Sequence, residues 1–109
     1  MKEQAKKYLF DIQSAITSIE QFVGKMNFSE YEADLKTKSA VERQLGIIGE
    51  AVNKYQKIQP NSELTNAKEI VNFRNRIIHA YDNIDDTIVW VIINKHLPTL
   101  KQEVSRLIS

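Results

Sequence analysis

The chain has no cysteine, which removes disulfides and thiolate metal sites and suits a reducing cytoplasm. Glycine and proline are scarce, three and two in 109 residues, as in a soluble helical protein. An excess of one charge sign is missing as well. The formal net charge of +1 argues against holding nucleic acid mainly through a broad basic face, but leaves room for a small local phosphodiester site. The longest apolar run, Ile88-Val89-Trp90-Val91-Ile92-Ile93, is far too short to cross a bilayer. Met1 to Lys7 leads into an amphipathic pattern and not an apolar signal core, so no secretory or transit segment is expected. There are no repeats and no low-complexity segments. One domain over residues 1–109 is expected, burying roughly 60–70% of its unfolded surface, and a homodimer interface would be a useful addition.

What is present is helical periodicity. Ala5, Tyr8, Leu9, Ile12, Ala15, Ile16, Ile19, Phe22, Val23 and Met26 recur at steps of three and four and predict a first helix, with Gly24 and Asn27 as stop signals. Asn27 to Lys38 is polar and reads as a connector with one short helical turn. Thr37 or Ser39 can cap a second helix, Glu42 falling three residues after Ser39 as a capping box requires. Val41, Leu45, Ile48, Val52 and Tyr55 form its stripe, and Gly46 and Gly49 suggest close approach by another helix, of this chain or a second subunit.

Ser62 or Thr65 starts a third helix, with Ile70, Phe73, Ile77 and Ala80 along its stripe. Asp82-Asn83 is a turn signal, and Asp85-Asp86 suits the start of a fourth helix that Pro98 should kink or break. Apolar residues all round at 88–93 imply burial on two sides, and Trp90 reads as core or interface. The class predicted is all-α, a bundle of four to five helices.

Chemistry concentrates in Phe73-Arg74-Asn75-Arg76-Ile77-Ile78-His79-Ala80-Tyr81-Asp82. A guanidinium can hold phosphate oxygens in a fork, and an imidazole can move a proton near neutral pH, so this pairing suits phosphoryl chemistry. On a helix, Asn75 and His79 share a face, and Arg74 and Tyr81 share another. Arg74 and His79 lie about 140° apart. They converge on one ligand if the helix end distorts, or if a second copy across a two-fold axis completes the site. Glu50 reads as a solvated face or a partner for a motif Arg. His96 reads as surface. A metal site from His79, His96 and the Asp82/Asp85/Asp86 group lacks recognisable spacing.

The segment resembles the R-x4-H-x-Y signature of the HepT-like toxins in the HEPN superfamily of helical ribonucleases. Asn75 after the Arg, Asp82-Asn83-Ile84-Asp85 beyond the Tyr, Glu42-Arg43-Gln44-Leu45 with Ile47 to Ala51, and Val89-Trp90 with Leu97-Pro98-Leu100 extend the likeness from about residue 5 onward. The resemblance implies an antiparallel HEPN-like bundle that dimerises, bringing two motifs to a cleft. It implies a metal-independent endoribonuclease, with no cofactor, acting as the toxin of a type VII-like toxin–antitoxin pair and using the ribose 2′-hydroxyl as nucleophile. The implied partner is a minimal nucleotidyltransferase antitoxin that adenylylates Tyr81, with higher assembly conceivable and no membrane involved.

The residues fit those roles. His79 is the candidate general base or acid, and Arg74 the group that binds the scissile phosphate and stabilises growing charge. Asn75 can orient His79 or the substrate; Arg76 is a second phosphate contact or a salt-bridge partner. AMP on Tyr81 would put bulk and negative charge where RNA must approach. The alternative is a non-catalytic helical module modified by the same partner. A helix-turn-helix binder is disfavoured by the neutral charge and the lack of a basic recognition helix.

Overall fold

A computed structural model describes residues 1–62, 64–79 and 84–109, with residues 77–79 described by their backbone alone. Helix α1 (Glu3–Val23) buries one stripe, including Leu9, Ile12, Ile16 and Ile19, all with no exposed surface. Each such side chain contributes about 1.5–3 kcal/mol of transfer free energy. Gly24 ends the helix at φ 53°, a left-handed conformation that a side chain would strain, and its N–H reaches the Glu20 carbonyl at 2.9 Å.

The expected connector is mostly helix. Asn27 caps α2 (Phe28–Ala33) through a reciprocal box: Glu30 N–H donates to Asn27 Oδ1 at 2.8 Å, and Asn27 N–H donates to Glu30 Oε1 at 3.0 Å. The box sets the entry that turns Tyr31 into the core, where its ring lies 5.3 Å from that of Trp90. Asn27→Ala is expected to cost about 1 kcal/mol, read as a lower denaturant midpoint with an unchanged slope.

Helix α3 (Leu35–Ile58) starts ahead of both Thr37 and Ser39, because Asp34 is the cap and accepts from the Thr37 N–H at 3.0 Å. The cap interaction holds the Asp34 carboxyl below its usual pKa. Ser39 and Glu42 therefore lie inside the helix and form no capping box. Helix α4 (Lys68–His79) starts after both expected positions. Ser62 is held by the Tyr55 hydroxyl at 2.6 Å, and Thr65 by the Glu103 carboxylate, which accepts from its hydroxyl at 2.8 Å and its N–H at 3.2 Å. Those bonds keep residues 62 and 65 in the loop.

Asp85 caps α5 (Asp86–Val91), accepting from the Thr87 N–H at 2.9 Å, as the acidic pair suggested. Pro98 does not break the run that follows. Instead residues Ile92–His96 take π-helical form, with Leu97 N–H donating five residues back to Ile92, before α6 (Leu97–Ile108). A proline cannot donate to the residue four back, and its ring crowds that carbonyl; one wider turn accommodates both. Asn94 Nδ2 supports the segment by donating to the Trp90 carbonyl at 2.9 Å.

The fold is all-α. α1 packs on α3 and α6, and α4 packs on α3 and the π segment. The two-sided burial expected at 88–93 does not occur within one chain. Val89 and Ile92 are buried and Trp90 and Ile93 half-buried, while Ile88 and Val91 remain 36% and 45% exposed. Lys38 on α3 closes on Asp86 at 3.1 Å, tying the start of α5 to the bundle.

Candidate active site on helix α4

Helix α4 is anchored by Ile70 and Phe73, which point into the core. Its other faces carry the polar residues of the motif segment. Arg74 is half-buried; Asn75 and Arg76 are exposed.

Arg74 sits where α4 presses on α3. A Cβ built at Gly49 would lie 2.7 Å from Arg74 Cβ, closer than such atoms tolerate, and a tight 3.0 Å from Cγ and 3.2 Å from Cδ. Gly49 is thus a socket for the arginine stem, and the close approach suspected from sequence is made by α4 of the same chain. Gly46 is different: a Cβ there would meet nothing within 4 Å. Glu50, beside the socket, pairs with Lys54 at 3.0 Å and not with an arginine. The Lys54 hydrogen bond and charge hold the Glu50 carboxyl below its usual pKa, with Arg74 adding a smaller pull in the same direction.

Arg76 projects elsewhere. Positions 74 and 76 lie about 200° apart around a helix axis. Arg76 lines a cleft of about 420 Å³ between α4 and the α5–π run, together with Phe73, Ile88, Val91 and His96. Glu69 and Asp85 also reach this cleft, so its charge is mixed. Arg74 and Arg76 are therefore not brought to one point within a chain. His96, read from sequence as a surface residue, is half-buried and faces Arg76 across the cleft. Twenty residues separate the two, and no local spacing could have paired them. Among the described residues, no carboxylate is within ion-pair distance of Arg74 or Arg76.

The backbone stays α-helical through His79, which keeps positions 74 and 79 about 140° apart around the axis. The His79 side chain lies outside the described residues, as does Tyr81.

The chain is similar to known proteins along nearly its whole length. Residues 12–107 match the ribonuclease HepT-like family. A Thermococcus cleftensis protein named "Probable ribonuclease HepT" is 35% identical over 111 residues, covering 98% of each chain. The fold is similar to that of a tri-AMPylated HEPN toxin of Shewanella oneidensis, solved in complex with an MNT antitoxin. That similarity has a TM-score of 0.74 at 21% identity and covers 98% of both chains. Arg74 and His79 of the Arg74-x4-His79-x-Tyr81 sequence signature lie on α4, and the chain belongs to the ribonuclease HepT-like family.

Proposed function

We infer that this protein is an endoribonuclease and the toxin of a toxin–antitoxin pair, cutting RNA by intramolecular transfer without a metal. The observation that carries the reading is the Arg74–His79 pair on α4 in a chain that matches a ribonuclease family along nearly its whole length. The ribose 2′-oxygen attacks the adjacent phosphorus while its proton passes to a base. The bond to the 5′-oxygen breaks, and that oxygen takes up a proton. The products are a 2′,3′-cyclic phosphate and a 5′-hydroxyl. His79 serves as base or acid, because imidazole has the one ordinary side-chain pKa near neutrality. Arg74 neutralises charge building on the phosphoryl oxygens. Asn75 and Arg76 position substrate.

A regular helix through position 79 favours a site shared by two chains, with Arg74 of one subunit and His79 of the other on the same phosphate. The exposed Ile88 and Val91 beside the Arg76 cleft are consistent with a surface covered in a dimer. The proposed partner is a minimal nucleotidyltransferase antitoxin that silences the enzyme by adenylylating Tyr81. It is supported by the AMPylated, antitoxin-bound state of the Shewanella protein of the same fold.

The test is cleavage of a defined RNA in excess EDTA by protein with Tyr81 verified unmodified. The reading expects cleavage; intact RNA would leave the non-catalytic module as the answer. For the partner, labelled AMP should transfer to wild type and not to a Tyr81→Phe protein that still cuts RNA. Equal labelling of both proteins removes Tyr81 from the scheme.

A further inference from the structure

A second cleft, of about 280 Å³, lies between α3 and the start of α4, on the far side of Asn72 from Arg76. Three side-chain amides line it: Asn53 and Gln56 from α3 and Asn72 from α4. Among the described residues, none of the three amide groups makes a hydrogen bond. Val52 and Val71 supply apolar wall; among the described residues, Lys68 is the one charged residue at the cleft and no carboxylate lines it. The loop that closes it is fixed at both ends, by Tyr55 on Ser62 and by Glu103 on Thr65 and Asn66. The cleft therefore presents three side-chain amides that have no partner among the described residues.

We propose that this cleft holds an unpaired base of the RNA substrate, next to the cut, with Lys68 at the neighbouring phosphate. The inference rests on the ribonuclease reading and adds a base-reading subsite to it. An amide offers a donor and an acceptor side by side, the pattern that base edges complement, and single-stranded RNA is read by such edge contacts together with contact to the base face. The cleft is just below the usual small-ligand range, a size for one base and not a whole nucleotide chain. Asn72 lines both this cleft and that of Arg76. Lys68, Asn72 and Arg76 follow one another at steps of four, about 6 Å of helix rise per step. A strand lying along α4 would thus meet base-reading amides beside the motif.

The test uses fluorescent 2′-O-methyl oligoribonucleotides, which lack the nucleophile and cannot be cut, with one abasic position walked along the strand. Binding is measured by anisotropy for wild type and for Asn53→Ala/Gln56→Ala, and repeated for Gln56→Glu in case the double variant unfolds. One abasic position should weaken wild-type binding about ten-fold. The variants should bind the intact strand about ten-fold more weakly and be indifferent to that same abasic position. Wild type that does not bind, variants that bind as wild type does, or variant and abasic losses that simply multiply would each overturn the subsite. Cleavage of unmodified RNA by wild type, run alongside, decides the ribonuclease reading separately.

Discussion

Arg74→Ala and His79→Ala should each lower RNA cleavage by at least about a hundred-fold while leaving the protein folded. On the proposed mechanism, removing the guanidinium would take away charge that is most needed when the phosphorane forms. Removing the imidazole would take away the group proposed to move the proton. A stability probe is essential here, because the Arg74 stem also packs on Gly49. Arg74→Lys keeps the stem and a charge but loses the planar fork, and it should recover packing far better than rate.

A shared site adds a sharper result. Mixed and re-equilibrated, the two inactive proteins should recover about a quarter of wild-type activity, since half the dimers are heterodimers and each rebuilds one of two sites. No recovery on mixing would place both groups in one chain. The helix ending at His79 would then have to distort on binding RNA.

Gly49→Ala carries the second large effect. The new methyl would lie 2.7 Å from Arg74 Cβ, an atom fixed to the α4 backbone, so α4 itself must shift. Overpacking costs about 1–3 kcal/mol, offset in part by about 1 kcal/mol of improved helix propensity. Stability should therefore fall only modestly. Cleavage should fall by about a hundred-fold, because a displacement near 1 Å at a positioning element has that consequence. Gly46→Ala, on the same helix with open space around it, should instead be as active as wild type and up to about 1 kcal/mol more stable. Thermal melts and initial rates on the two variants separate packing from propensity. Equal rates for both would show that the socket does not position Arg74.

The sequence made α1, α3 and the Ile70 and Phe73 part of the α4 stripe legible because their buried residues recur at helical spacing, and that period survives any tertiary arrangement. Ile77 and Ala80, expected on the same stripe, have side chains outside the described residues. The motif was legible for a different reason, its spacing being a family signature. Helix starts were misplaced where another residue capped first or a long-range bond held the loop. Asp34 won over Thr37 and Ser39, and a long-range bond from Glu103 to Thr65 kept the loop before α4 open. Pro98 was overestimated as a breaker, since the π turn before it absorbs the missing donor.

The site was harder still. That Arg74 packs on Gly49 while Arg76 lines a cleft depends on which helix lies against each side of α4, and no spacing encodes it. The same holds for His96 beside Arg76, and for the amides of Asn53 and Gln56 beside Asn72. Gly49 was a partial exception. A glycine inside a strong helix pattern announced close contact, without telling which atom would arrive.

The most direct test is the chemistry of the cut ends. RNA incubated with the unmodified protein in excess EDTA should yield fragments ending in a 2′,3′-cyclic phosphate paired with fragments starting in a 5′-hydroxyl, seen by end-specific ligation and mass spectrometry. Fragments carrying a 3′-hydroxyl and a 5′-phosphate, or a reaction that stops when divalent metal is removed, would contradict the account.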